Sequence, residues 1–129
     1  TETIHALQQN FEGSRWAGLT PVEIECEIQL TIGSHTFVCK LDAVFETEAG
    51  FEIIDWKTGK LPTGKADTDE RALQLALYRL AYSRYRGIPE QQIACSLYFV
   101  DADKEVKPDR ILSGDELLTE WQKVLEQFV

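Results

Sequence analysis

The chain has 129 residues, of which 43% are hydrophobic and 27% charged, a composition typical of one globular domain with a packed core. Its net charge of −9 argues against unaided DNA binding, because phosphate contacts favour a basic surface. The sequence shows no signal peptide and no apolar run long enough to span a membrane, which predicts a cytoplasmic protein. Its three isolated cysteines form no CxxC pair, so we expect buried free thiols and no zinc or iron–sulfur cluster.

The N-terminal part predicts a helix and then a strand. Residues 1–16 carry apolar side chains at helical spacing, and Gly18 and Pro21 end that pattern. Residues 22–32 alternate between apolar and polar side chains, which predicts a strand with one buried face. The buried face is expected to consist of Val22, Ile24, Cys26, Ile28 and Leu30.

A second strand is predicted over residues 37–46, after a hairpin turn at Gly33 and Ser34. Strict alternation assigns its apolar face to Phe37, Cys39, Leu41, Ala43 and Phe45. Its opposite face is assigned to Lys40, Asp42 and Glu46.

Residues 51–57 are apolar on both faces at first, which predicts a central third strand. Residues 58–68 are rich in Gly, Pro, Thr and Lys and predict a loop that could reach a ligand. A long helix is predicted over residues 70–86, capped by Thr68 or Asp69 and ended by Gly87. Its core stripe is expected to be Leu73, Leu77 and Leu80.

The C-terminal part predicts a fourth strand over residues 93–100, a short extended piece near residues 106–111 and an amphipathic helix over residues 115–128. The order of elements is α-β-β-β-α-β-α. This order predicts an α/β domain with a mixed central sheet flanked by helices.

Two acids and a lysine are expected to meet on one face of the sheet. Asp55 and Lys57 lie two residues apart on the third strand, so their side chains project to the same side. The hairpin can bring Asp42 alongside them. Buried carboxylates are unfavourable unless a cation meets them, and Mg²⁺ and Mn²⁺ prefer such oxygen ligands. The pattern therefore predicts a divalent-metal site for phosphodiester hydrolysis.

Each residue of this site has an expected role. Asp42 and Asp55 supply carboxylate ligands, and the backbone carbonyl of Trp56 is a third ligand. Lys57 orients or deprotonates the attacking water and offsets negative charge in the transition state. Gln74 and Tyr78, one helical turn apart, brace the metal ligands or contact a DNA phosphate. Taken singly, these residues also fit structural roles, as solvated strand acids, a surface ion pair and the polar edge of a helix.

Three segments together resemble the RecB-like branch of the PD-(D/E)xK nucleases: CKLDAVF, IIDWKTGK and QLALYRLAY. They occur in the family's order and spacing within residues 21–100. The longer sequence segments around these motifs are similar to the C-terminal nuclease domain of actinobacterial UvrD/RecB-type helicase–nucleases. The resemblance implies a restriction-endonuclease-like core and a Mg²⁺- or Mn²⁺-dependent DNase, acting as an exonuclease. It also implies a superfamily 1 helicase motor in the same parent chain and a role in double-strand-break repair.

Carried over residue by residue, the resemblance makes Asp42 and Asp55 metal ligands, Lys57 the catalytic lysine, and Gln74 and Tyr78 the helix motif. The sequence departs from the family pattern at Cys39 and Lys40, where a glycine is frequent. Many relatives have a histidine ligand on an upstream helix, and His5 is too weakly placed to be assigned that role. The four-cysteine iron–sulfur staple of some relatives is absent from this sequence.

Three hypotheses stay open at this point. The chain is an active nuclease module, a nuclease-fold module that guides DNA or docks a subunit without catalysis, or a free-standing resolvase-like dimer. The missing basic surface disfavours the dimer, so a monomer is expected. Glu23 and Glu25 either point toward the site or belong to a solvated strand face. Since the sequence begins TETIH and contains no methionine, we interpret residues 1–129 as a single domain excised from a larger helicase–nuclease.

Overall fold

The computed structural model describes residues 9–10, 12–13, 16, 18–57, 64–108 and 110–126, without the side chains of residues 65–67 and 124–126. Most of the predicted first helix and residues 58–63 of the predicted loop lie outside this range. Gln9, Asn10 and Glu12 are helical. The regular elements of the described part are β1 (Glu23–Ile32), β2 (His35–Thr47), β3 (Gly50–Lys57), α1 (Gly64–Arg86), a 3-10 turn (Glu90–Gln92), β4 (Ile93–Phe99), β5 (Lys104–Val106) and α2 (Gly114–Glu126).

The strands form one mixed sheet in the order β1-β2-β3-β4-β5. β3 and β4 are parallel, and the other neighbouring pairs are antiparallel. The parallel pair requires a crossover connection, which α1 supplies. The predicted α/β class with a mixed sheet and flanking helices is confirmed, and β3 is the central strand.

The sheet separates two apolar clusters. The larger cluster lies between the sheet and the two helices, and its centre includes Leu41, Ile53, Leu75 and Leu97. The smaller cluster covers the other face and contains the buried side chains Trp16, Ala43, Phe45, Ile54, Tyr98 and Val100. Because β3 contributes Ile53 to one cluster and Ile54 to the other, both of its faces are covered.

The predicted faces of β1 and β2 are wrong at one end, because the alternation breaks at Glu25 and Asp42. Pairing runs Ile24 with Ala43 and then Cys26 with Leu41, so Glu25 and Asp42 face each other outside the paired register. Glu25 has a positive φ of 49°, which is unusual for a residue with a side chain. Beyond the break Val22 and Ile24 are exposed, Ile24 to 67%. Ala43 and Phe45 likewise belong to the smaller cluster, whereas Leu41 belongs to the larger one.

The start of α1 also differs from the prediction. The helix begins at Gly64, and the Thr68 hydroxyl donates to the Gly64 carbonyl oxygen from within the first turns, so Thr68 and Asp69 are not N-caps. Leu73 is 45% exposed and is not a core residue, so the prediction is wrong there. The predicted Leu80 is buried, the predicted Leu77 packs partly buried against the larger cluster, and the buried Leu75 was not predicted. The predicted end is confirmed, because Arg86 is the last helical residue and Gly87 follows with a φ of 68°.

The C-terminal elements are close to their predicted positions. The short strand β5 lies a little earlier than the extended piece that was expected. Ser113 and Glu116 form a capping box at the start of α2, since the Glu116 N–H donates to the Ser113 hydroxyl (3.2 Å) and the Ser113 N–H to the Glu116 carboxylate (3.1 Å). All three cysteines are free, but Cys26 is only half-buried. Neither helix in the described part of the chain is long and apolar enough to cross a membrane.

Candidate active site

The carboxyl end of β3 places Asp55 and Lys57 on the side of the sheet that α1 covers. They alternate with Ile53, whose side chain lies in the larger cluster beneath α1. Lys57 Nζ lies 2.9 Å from Asp55 Oδ2, and the Asp55 and Lys57 side chains are 7% and 25% exposed. The sequence-predicted pair is therefore an ion pair with a buried acid and a lysine that reaches solvent.

The break in β2 brings Asp42 to the same side. The β2–β3 register pairs Ala43 with Ile54, and continued by one residue it sets Asp42 opposite Asp55. The two side chains share a hydrogen bond, and Asp42 Oδ2 also accepts one from the Trp56 N–H at 2.8 Å. Strict alternation after Leu41 would have turned Asp42 to the opposite face. The irregular backbone at this position therefore assembles the pair of acids.

Helix α1 completes the set with Gln74 and Tyr78. Lys57 Nζ donates to Gln74 Oε1 at 3.4 Å, and Gln74 Nε2 donates to the Tyr78 hydroxyl at 3.0 Å. All five residues predicted to form the site thus belong to one connected network. The roles assigned to them stay predictions.

Burial is the largest cause of the pKa shifts of Asp55 and Tyr78 in this network. It raises the pKa of Asp55 to about 6; the hydrogen bond with Asp42 adds to this rise, and Lys57 opposes it. Burial, together with the charge of Asp55, raises the pKa of Tyr78 to about 12. Tyr78 is therefore a neutral phenol at neutral pH, and Asp55 holds its proton more tightly than an exposed aspartate does.

Asp42 and Asp55 fit a hard divalent cation. A buried carboxyl group whose pKa is raised, as that of Asp55 is, can exchange its proton for a metal ion, and the neighbouring Asp42 adds a second oxygen donor. In the ranges that the structure describes, no group of three or more His, Cys, Asp or Glu side chains is gathered as a metal site. Mg²⁺ is commonly held by one or two carboxylates with waters and substrate phosphates completing its shell, so two acids suffice. The Trp56 carbonyl stays a predicted third ligand.

Other acidic and aromatic candidates lie elsewhere. Tyr82, on the same side of α1 as Gln74 and Tyr78, donates to Glu23 at 3.3 Å, and Glu23 also pairs with Arg86 at 3.4 Å. Glu23 is thus engaged at the opposite end of α1 from Gln74, and Glu25 is exposed at the strand break. His5 lies outside the described residues.

The comparison with protein families identifies the family of this chain. The family model of the PD-(D/E)XK nuclease superfamily matches residues 2–129. The chain belongs to the PD-(D/E)XK nuclease superfamily. Membership implies a nuclease, a hydrolase of phosphodiester bonds, and members of this superfamily generally use divalent metal ions. A search of curated proteins finds no match.

The raised pKa of Asp55 in this PD-(D/E)XK domain should make the metal-free protein less stable as the pH rises from about 4 to about 6. In that window the folded state binds more protons than the unfolded state, so deprotonation favours unfolding. Asp55→Asn removes this effect, and its amide can still donate to Asp42. We expect its free energy of unfolding in EDTA to exceed that of the wild type by about 1–3 kcal/mol at neutral pH, with the difference vanishing at acid pH.

Denaturant titrations across this pH range measure the effect. Asp101→Asn is the matched control, because Asp101 is an exposed carboxylate in the turn after β4. A stability difference between Asp55→Asn and the wild type that grows as the pH falls would contradict the assigned direction of the pKa.

Proposed function

We propose that this chain is a Mg²⁺- or Mn²⁺-dependent deoxyribonuclease. The observation that carries the proposal is the convergence of Asp42, Asp55 and Lys57 on one face of the sheet, connected to α1 through Gln74. A buried acid beside a second, half-buried acid is unfavourable in a core that serves packing alone. The pair suits a site that binds a metal ion.

Each residue of the site has a separate role in the proposed reaction. Asp42 and Asp55 hold the divalent ion, which supplies an activated water and stabilises charge on the phosphoryl oxygens. The Lys57 ammonium offsets negative charge in the transition state and orients the attacking water. Gln74 fixes the position of Lys57. Tyr78 fixes the orientation of the Gln74 amide, because it accepts from Nε2 and leaves Oε1 directed at Lys57.

We propose further that the chain is the exonuclease module of a RecB-like helicase–nuclease that repairs double-strand breaks in the cytoplasm. The motifs CKLDAVF, IIDWKTGK and QLALYRLAY support this assignment. The net charge of −9 predicts weak DNA binding by the module alone, and it suits a domain to which a helicase motor of the parent chain delivers DNA. The module itself is a monomer and needs no iron–sulfur cluster.

One observation favours a second candidate, a nuclease-fold module that guides DNA or docks a subunit without catalysis. Within residues 18–57, 64–108 and 110–126 the site gathers two acids rather than three. A site with two carboxylates binds metal less tightly than one with three, and slow or absent cleavage follows if the metal site stays empty.

The test is cleavage of labelled linear and covalently closed circular DNA in Mg²⁺, in Mn²⁺ and in EDTA. The proposal predicts metal-dependent degradation of linear DNA from its ends and an intact circle. Degradation of the circle would overturn the exonuclease assignment. Absence of cleavage in both metals would favour the docking module.

A further inference from the structure

Helix α1 crosses β3 in the opposite direction, so that its residues meet the site in a fixed order. Near its end, Tyr82 contacts Phe51 at the start of β3, with ring centroids 5.9 Å apart. One turn earlier, Tyr78 interacts electrostatically with Asp55. One further turn earlier, Gln74 contacts Lys57 at the end of the strand. The next residue in this series is Arg71, three positions before Gln74 and on the same side of the helix.

Arg71 lies at the rim of the site. Its guanidinium carbon is 5.3 Å from the centroid of the Phe99 ring. Phe99 pairs with Lys57 across the parallel strands β3 and β4, so the two side chains stand side by side on the face beneath α1. The half-buried guanidinium of Arg71 therefore lies next to Lys57, at the carboxyl ends of β3 and β4.

This placement suits phosphate recognition. A guanidinium that stacks on an aromatic ring keeps its in-plane N–H groups for hydrogen bonds, and its planar fork matches the oxygens of a phosphate. The two acids of the site repel a phosphodiester, and the Lys57 ammonium is shared with Asp55 and Gln74. A second cation beside Lys57 would offset that repulsion and fix the substrate strand.

The other arginines of α1 with described contacts lie away from the site. Arg79 donates to the carbonyl oxygens of Ile111 and Leu112 at 2.9 and 3.0 Å, which holds the chain before α2. Arg84 donates to the Thr31 carbonyl at 3.0 Å. Arg86 stacks on Phe51 and pairs with Glu23 at the far end of the helix.

We infer that Arg71 binds a backbone phosphate of the substrate strand at or next to the bond that is cleaved. The inference rests on the proposed nuclease function and adds a substrate-binding residue to its site. It concerns binding of the strand, so it is measured apart from metal binding and cleavage.

The experiment measures the affinity of a short fluorescent single-stranded oligodeoxynucleotide by anisotropy in Ca²⁺, as a function of salt. Arg71→Gln should weaken binding about tenfold or more and lower the slope of log K against log salt by about 0.7. Arg71→Lys keeps the charge but loses the planar fork of the guanidinium, so its affinity should lie between those of the wild type and Arg71→Gln. Arg84→Gln is the matched control, because it removes the same charge from the same helix and should leave the affinity unchanged.

A second arm replaces one phosphate at a time by a neutral methylphosphonate. If Arg71 binds one phosphate, Arg71→Gln causes no further loss on the strand that lacks that phosphate, whereas it weakens binding of all others. An equal loss on every strand would assign Arg71 a structural role on Phe99 and overturn the inference. Unchanged affinity in Arg71→Gln, or a wild type that binds no DNA, would also overturn it.

Mn²⁺ titration of the same preparations separates this inference from the proposed function. If Mn²⁺ does not bind but Arg71→Gln weakens DNA binding at one phosphate, the nuclease proposal fails, and Arg71 stays assigned only as a phosphate contact to a strand that this chain does not cleave. If Mn²⁺ binds and Arg71→Gln has no effect, the assignment of Arg71 fails alone.

Discussion

Replacing Asp55 with alanine should abolish DNA cleavage while leaving the domain folded. Asp55 is proposed to hold the metal ion and lies 2.9 Å from Lys57, so its loss removes both a ligand and the partner that places the ammonium. Losing charge stabilisation of several kcal/mol in the transition state corresponds to a rate decrease of about a thousandfold or more. We expect the fold to survive, because a buried acid with a raised pKa does not stabilise the metal-free protein at neutral pH.

Initial rates of cleavage of labelled linear DNA, at a Mn²⁺ concentration that saturates the wild type, measure this effect, and circular dichroism verifies the fold. Asp101→Ala provides the control, since it deletes an exposed carboxylate outside the network. Cleavage by Asp55→Ala at the wild-type rate would show that the site has been assigned to the wrong residues.

Lys57→Met should reduce cleavage by about a hundredfold to ten-thousandfold and yet leave metal binding in place. Methionine keeps most of the aliphatic stem of the lysine but removes the ammonium that contacts Asp55 and Gln74. Because Lys57 opposes the rise in the pKa of Asp55, its loss should also shift Mn²⁺ binding to higher pH. Cleavage rates and Mn²⁺ affinity, both followed against pH, measure the two effects.

Strand β3 offers a matched control for this variant. Its opposite face carries Glu52, a buried acid that accepts from the Ser96 hydroxyl at 2.9 Å and pairs with Lys107 at 3.8 Å. Lys107→Met therefore removes a lysine from a buried acid of the same strand without touching the proposed site. A similar loss of cleavage in Lys57→Met and Lys107→Met would mean that the effect arises from the fold, not from the site.

The central part of the fold could be predicted from the sequence because its signals are local and strong. Residues of β3 are apolar on both faces, which only a central strand explains. The end of α1 was marked by Gly87, whose positive φ is easy for glycine. The pairing of Asp55 with Lys57 followed from the alternation of side chains within one strand, and the structure brings Gln74 and Tyr78 to the same place.

The position of Asp42 shows where sequence reasoning fails. Uniform alternation through β1 and β2 predicts a regular hairpin, but the pairing of the two strands is interrupted at Glu25 and Asp42. Neither residue is a glycine or a proline that would have marked the break. Asp42 nevertheless lies beside Asp55, as predicted, because of a break in the strand that the sequence pattern did not indicate.

The start of α1 was missed for a different reason. Gly64 has a positive φ, and the helix continues through Thr68 because that side chain bonds back to the helix instead of capping it. Leu73 fitted the apolar spacing as well as Leu75 did, and only packing against the sheet decides that Leu75 is buried. The first turn of a helix and the choice between neighbouring apolar residues both depend on tertiary contacts.

The central claim is that Asp42 and Asp55 together form a metal site, and calorimetric titration with Mn²⁺ tests it most directly. The wild type should bind Mn²⁺ at neutral pH and more weakly below pH 6, because the proton on Asp55 then competes with the metal ion. Both Asp42→Ala and Asp55→Ala should lose binding. Binding that persists in either variant, or a wild type that takes up no Mn²⁺, would contradict the claim.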